Sequence, residues 1–336
     1  MEYRKLGSSD VSVSSVVLGT WAIGGWMWGG TDDDNAIAAI HKGVELGMTS
    51  IDTAPVYGFG HSETIVGKAV KGMRDRIQIL TKYGLIWDGR GGEFHFDTTG
   101  AKGNTIRVNR WSDPQSVIEQ CEESLRRLGT DYIDLYQCHW PDPSTPVEET
   151  MRAMEILHKQ GKIRAAGVSN WTVDEISAAN KVFPVVSDQP PYSMVKRGIE
   201  KDLLPYCRDN NIAVIVYSPL QLGLLSGKMT MDRVFGPNDL RSKSPYFTPE
   251  NRRRAIDFCN RLRPIASSYG ASVAQLVINW TINRPGVTAA LVGARNASQA
   301  AENAASADLK ISNDDAARVD EMVEEISLDL PAAQFA

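Results

Sequence analysis

At 336 residues the chain is long enough for one large barrel or two ordinary domains, and 42% hydrophobic residues can build a sizeable core. A formal net charge of −5 argues against a nucleic-acid binder, whose phosphate contacts need clustered Lys and Arg. No run approaches the roughly 18 apolar residues of a membrane span, and Met1-Glu2-Tyr3-Arg4-Lys5 lacks the apolar region of a signal peptide.

In chain order, Glu2 to Lys5 and Val11 to Val13 read as a small hairpin about a Gly7-Ser8-Ser9-Asp10 turn, placed to plug the bottom of a barrel. Strand and helix signals alternate from there on. Val16 to Leu18 is a strand ending at Gly19, and Thr31 with Asp32, Asp33 and Asp34 opens a helix with the negative charge its N-terminus favours. Gly47 stops that helix. Ser50 to Asp52 is the second strand, followed by a turn at Ala54-Pro55 that carries Tyr57, then a helix over 62–70. Ile77 to Thr81 is the third strand and delivers Lys82. A long glycine-rich segment, 83–111, shows little periodicity and reads as irregular. Asp113-Pro114 starts a helix with proline at its first position, and Gly129 ends it. Tyr132 to Gln137 is the fourth strand and delivers His139. Thr145-Pro146-Val147-Glu148 reads as a capping box opening the next helix. Strands follow at Ile163 to Val168, Val185 to Gln189 and Ala213 to Tyr217, with a helix over 200–209 before the last of these. A second insertion, 219–249, precedes helices over 250–269 and 272–283. The eighth strand is Ala289 to Val292, and helices over 298–305 and 313–326 close the chain.

Eight strands separated by helices point to an α/β fold, a (β/α)8 barrel with an N-terminal hairpin and two extra helices, spanning 1–336 as a single domain. A doubly wound sheet would want G-x-G-x-x-G after the first strand, and Gly24-Gly25 and Gly29-Gly30 do not supply it. Cys121, Cys138, Cys207 and Cys259 are scattered and read as reduced, buried thiols of a cytoplasmic protein. The five histidines show no metal-ligand spacing, so no metal is expected.

A barrel gathers its strand exits on one face, where active sites of this fold lie. Asp52, Lys82 and His139 would then surround Tyr57. An ammonium about 4 Å from a phenol favours the phenolate by up to roughly 4 kcal/mol at an effective dielectric of about 20, so Lys82 is expected to make Tyr57 more acidic. Asp52 is the counter-ion of a buried Lys82, and a neutral His139 can donate a hydrogen bond to a carbonyl oxygen. This is proton-donor machinery for reducing a carbonyl; it supplies no hydride, which implies a nicotinamide cofactor.

At this point the sequence resembles the aldo-keto reductases, from Arg4-Lys5-Leu6-Gly7 to Glu302-Asn303. Matching stretches include Leu18-Gly19-Thr20, Ile51-Asp52-Thr53-Ala54 with Tyr57-Gly58, and Thr81-Lys82. Tyr132-Ile133-Asp134-Leu135 leads to His139, and Gly161-Lys162-Ile163-Arg164 and Gly167-Val168-Ser169-Asn170 follow. Gln189 with Tyr192, Tyr217-Ser218-Pro219-Leu220 and Gly293-Ala294-Arg295 complete the pattern. The resemblance implies Tyr57 as general acid with Asp52, Lys82 and His139 as partners. It places Ser169, Asn170 and Gln189 on the nicotinamide carboxamide and Tyr217 against the ring. Ser218, Pro219, Leu220, Gly223 and Lys228 would border the pyrophosphate, and Gly293, Arg295, Gln299, Glu302 and Asn303 the adenosine end. Gly19, Thr20, Trp21 and Asp52 are further cofactor contacts in this reading. Arg295 suits the 2′-phosphate of NADPH, although many members carry a basic residue where this chain has Gly293, so NADH is also possible.

Trp21, Trp26, Trp28, Trp87, Trp111 and Trp140 follow predicted strands and, with His139, are expected to wall a pocket for a small carbonyl substrate with an aryl, alkyl or sugar-derived face. Trp171 is expected to pack as a strut. A rival reading is a cofactor-binding regulatory subunit of the same fold with slow turnover.

Overall fold

The computed structural model describes residues 1–100 and 103–331. Strands β1 (Tyr3–Lys5) and β2 (Ser12–Ser14) pair as an antiparallel hairpin. Then come β3 (Val16–Gly19), helix α1 (Asp33–Glu45), β4 (Ser50–Asp52), α2 (His61–Ala69) and β5 (Gln78–Tyr83). Three strands, β6 (Leu85–Ile86), β7 (Glu93–Thr99) and β8 (Thr105–Arg110), form an antiparallel sheet in the order β6-β8-β7. This sheet corrects the expectation of an irregular 83–111 segment. The chain continues through α3 (Pro114–Leu128), β9 (Ile133–Cys138), α4 (Val147–Lys159), β10 (Ile163–Ser169), α5 (Val173–Asn180), β11 (Val185–Gln189) and α6 (Leu203–Asp209). It ends with β12 (Ala213–Tyr217), α7 (Pro249–Ser268), α8 (Val273–Ile282), β13 (Ala289–Gly293), α9 (Ala297–Ala305) and α10 (Asn313–Glu325).

Eight of the strands close into a barrel in the order β10-β11-β12-β13-β3-β4-β5-β9, each neighbour parallel. Both faces of these strands are covered, so they are rich in apolar residues, and polar ones such as Asp134 and Asp188 are buried with them. Val17, Leu80, Leu135, Ala165, Ile215, Ala289 and Leu291 point inward and pack with Leu6, Val11 and Val13, so the hairpin does plug the lower end. Their neighbours Val16, Leu18, Ile79, Val214, Val216, Ala290 and Val292 point outward under the helices.

Local signals account for most boundaries. Asp32 accepts from Asn35 N–H to cap α1, and Asp113 caps α3, whose last turn is closed by Gly129 at φ +64°. The expected box at Thr145 is not formed, because Thr145 turns its hydroxyl to Asp142 and α4 starts at Val147, with Pro146 at the N-cap and no side-chain cap. A reciprocal box is found instead at Thr172 and Glu175, opening α5, a helix the sequence reading did not assign. Trp280 lies in α8, stacked on Tyr192 at 5.8 Å, and Trp171 is buried in the main core as expected. All four cysteines are unpaired and buried. Among the described residues no helix is long and apolar enough to cross a membrane.

Candidate active site

Strand alternation builds the site directly above the barrel core. Two residues beyond inward Leu80 is Lys82; beyond Leu135 come Gln137 and His139; beyond Ile215 comes Tyr217. Strand β11 breaks this parity, since its core residue Val186 and Gln189 are three apart. The register against β10 steps by one residue there, Ala166 facing Val185 but Gly167 facing Ser187. That bulge turns Gln189 inward.

Lys82 is fully buried and donates to Asp52 Oδ1 at 2.6 Å, to the Thr53 carbonyl at 3.0 Å and to the Tyr57 hydroxyl at 3.3 Å. Tyr57 sits on a turn held by Tyr57 N–H to Ala54 O and Gly60 N–H to Pro55 O. Its backbone rests against Gly24, where a Cβ would stand 2.6 Å from the Tyr57 carbonyl carbon. His139 follows β9, its N–H donating to Tyr83 O, and its ring meets that of Tyr57 edge-on at 5.8 Å.

The electrostatics correct one expectation. Burial pushes the Tyr57 phenol well above its ordinary value, and the Asp52 carboxylate pushes it further. Lys82 does not reverse this, because its charge is compensated by Asp52 at 2.6 Å and burial pulls the lysine itself down. Tyr57 is therefore held as a protonated phenol. Burial, then the Lys82 ammonium and His95, lowers His139 well below the usual imidazole value and keeps it neutral.

Around this group lie the residues expected to meet a cofactor. Gln189 donates to Asp52 Oδ2 at 2.9 Å and to Gln137 Oε1 at 3.1 Å. Ser169 donates to the Gln189 carbonyl, and Asn170, at φ +62°, donates to His139 O and Ser169 Oγ while accepting from the Tyr217 hydroxyl. Thr20 donates to the Asp52 carbonyl, and Trp21 stacks on Tyr57 at 6.0 Å. Gly19 and Gly293 face each other in register as a bare stretch of rim. The loop after β12 takes left-handed φ at Ser218 (59°), Gln221 (45°), Leu222 (56°) and Gly223 (90°). Such strain at non-glycine positions costs about 1–3 kcal/mol each and clusters at ligand clamps. With Gln189 Oε1 accepting no hydrogen bond from the described residues, these features fit a dinucleotide along the rim.

At the far end, Asn303 donates to the Gly293 carbonyl and Gln299 accepts from Arg295 N–H. Arg295 also donates to the Trp28 carbonyl at 2.5 Å, with its guanidinium 5.6 Å from that ring. Lys228, expected near a pyrophosphate, instead reaches Glu302 at 2.7 Å. Its ammonium is exposed to solvent, so the pair is weak enough to part, while Glu302 stays held by the Ser272 hydroxyl.

The tryptophans divide. Trp21, Trp26, Trp87 and Trp140 are linked through aromatic contacts that the sequence reading missed, supplied by Phe59, His95 and Phe96. Trp26 also donates to Thr98 of β7 at 2.9 Å. Trp28 contacts Trp21 edge-on at 5.6 Å but is clamped by Arg241 and Arg295. Trp111 packs its ring against Gly91 and takes part in none of these ring contacts among the described residues. Gln137 was also missed; its inward position between Leu135 and His139 was the available signal.

A model of the aldo/keto reductase family matches residues 15–324. An aldo-keto reductase of Bacillus subtilis is 43% identical over 302 residues, covering 89% of this chain and 86% of that protein. An NADH-specific methylglyoxal reductase of Escherichia coli is 37% identical over 330 residues, covering 96% and 99%. The structure of a glycerol dehydrogenase from Gluconobacter oxydans superposes with a TM-score of 0.87 at 38% identity, covering 98% of both chains.

Proposed function

The chain belongs to the aldo/keto reductase family, and from that premise we propose that it is a single-domain cytoplasmic enzyme reducing an aldehyde or ketone to the alcohol with NADPH. The observation that carries the reading is Lys82 Nζ lying between Asp52 Oδ1 at 2.6 Å and the Tyr57 hydroxyl at 3.3 Å, at the mouth of the barrel. A nicotinamide, when bound, supplies the hydride. Neutral His139 donates a hydrogen bond that orients the substrate carbonyl oxygen. Tyr57, kept protonated by burial, gives its proton to that oxygen as negative charge develops, and Lys82 is beside it to stabilise the phenolate left behind.

Ser169, Asn170, Gln189 and Tyr217 are the residues proposed to hold the nicotinamide end, and the 218–223 loop the pyrophosphate. Arg295 supports the phosphate-bearing cofactor, while the E. coli relative's name makes NADH the alternative to be measured. The aromatic pocket favours substrates with an apolar face. The relatives named for methylglyoxal and glycerol put three-carbon carbonyls on the same panel.

The test is loss of absorbance of NADPH or NADH with purified protein against aryl, alkyl, sugar-derived and three-carbon carbonyls. Carbonyl-dependent turnover in the range of roughly 1 s⁻¹ or faster is expected. Tyr57→Phe is expected to bind cofactor but lose at least about 10²-fold in kcat. Tight cofactor binding without turnover would favour the slow regulatory subunit instead.

A further inference from the structure

Asp52 is 2% exposed, so its carboxylate depends on protein donors in place of water. Lys82 serves Oδ1; Oδ2 receives Gln189 Nε2 at 2.9 Å and Gln137 Nε2 at 3.4 Å. The other N–H of Gln189 is given to Gln137 Oε1 at 3.1 Å. Both amide protons of Gln189 are thus committed inside the barrel, and its oxygen is left for whatever occupies the mouth. Without Gln137 nothing on this side would distinguish one orientation of the Gln189 amide from its flipped form except the single bond to Asp52. Gln137 is itself fully buried, and it passes over Gly167, where a Cβ would stand 3.1 Å from Gln137 Cγ and 2.5 Å from Ser187 Oγ. The bare position on β10 is what admits the amide.

We propose that Gln137 is a positioning residue for carbonyl reduction: it fixes the Gln189 amide with its oxygen toward the nicotinamide carboxamide while holding the second oxygen of Asp52. The carboxamide NH2 then meets an acceptor whose direction cannot reverse, and the proton-donating and hydride-donating halves of the site share one anchor. This deepens the reductase reading above and rests on it.

Two substitutions test it. Gln137→Met keeps the reach of the side chain and removes both amide bonds. It is expected to lower kcat roughly tenfold, about 1.4 kcal/mol in the barrier. The Kd for NADPH alone, followed by tryptophan fluorescence, is expected to change less than about threefold, because the adenosine end is untouched. Gln137→Glu sets a second carboxyl beside Asp52, and two such groups share a proton at unusually high pH. In its protonated form the introduced carboxyl would still donate to Asp52, so kcat of this variant is expected to recover toward wild type as pH is lowered from about 8 to about 5.5. Wild-type kcat in Gln137→Met, or a Gln137→Glu profile that tracks wild type, overturns the proposal, since packing alone would survive both changes. Thermal melts accompany each variant, and either folded one decides. A wild-type protein with no carbonyl-dependent turnover would overturn the reductase reading instead.

Discussion

At the scale of single residues, burial decides which groups at the barrel mouth carry a proton. The His139 imidazole is partly buried, and the Lys82 ammonium lies close by, so a second positive charge there is disfavoured. Its folded value lies well below the ordinary 6.5, so below that pH the unfolded chain takes up a proton that the native site refuses. Stability from this residue is complete above about pH 6.5 and is lost as pH falls, by about 1.4 kcal/mol per pH unit. Urea unfolding at pH 7.5 and 5.5 should show that loss in wild type and a flatter dependence in His139→Gln. His95 is lowered too, by burial and then Arg110, but it is present in both proteins, so subtraction isolates His139. Equal slopes would mean that the imidazole is not held neutral. The same physics explains where sequence reasoning misjudged a sign. Placing Lys82 beside Tyr57 suggested an acidified phenol, yet the lysine charge is already met by Asp52 at 2.6 Å and the phenol is raised by burial. Burial is a property of the whole packed mouth, and no spacing of residues reports it. For reduction the outcome is favourable, because the acid must be protonated before the carbonyl arrives.

At the scale of elements, the eight barrel strands were legible because both faces are buried and nearly every one is followed by a helix signal, α5 after β10 being the exception. The sheet of β6, β7 and β8 was not, since its glycines masked the alternation of Phe94 and Phe96 along Glu93–Thr99. Capping boxes were legible as a pattern but not as a choice: Thr145 found Asp142 nearer, and the bond pattern formed at Thr172. Glycines were read as helix stops, turn residues and cofactor contacts, and Gly24 only against a dinucleotide fingerprint, so its packing role was missed. The 3-10 turn Ala22–Gly24 presses on the Tyr57 turn backbone to backbone, and a Cβ on Gly24 would lie 2.6 Å from the Tyr57 carbonyl carbon and 2.7 Å from its oxygen. Neither atom can yield without moving the catalytic loop. Gly24→Ala is therefore expected to lower kcat on the order of 10²-fold by displacing the phenol, with much less effect on cofactor Kd. Gly198→Ala, where nothing lies within 4 Å, is the control and should be near wild type. A Gly24→Ala enzyme with unchanged kcat would show that the Tyr57 turn is not located by this contact.

At the scale of the whole molecule, the barrel separates holding the fold together from doing chemistry along its own axis. The lower end is closed by Leu6, Val11 and Val13 against inward residues such as Leu80, Leu135 and Ile215. The same strands, one inward step higher, carry Lys82, Gln137 and Tyr217. A layer of aliphatic side chains thus lies between the plug and the polar group, and the charged groups at the plug end, Asp10 and Arg164, pair with each other and with Asp134 and not with the catalytic group. Leu6 is fully buried, and Leu6→Ala leaves a cavity worth about 3 kcal/mol. Its melting temperature should fall by about 4 °C, while kcat and KM at 25 °C stay near wild type. Tyr57→Phe should do the reverse, silencing turnover with little change in the melt. If Leu6→Ala instead altered kcat while the protein remained fully folded, the two ends of the barrel would be mechanically coupled, and the aliphatic layer between them would not be the insulator that its packing indicates.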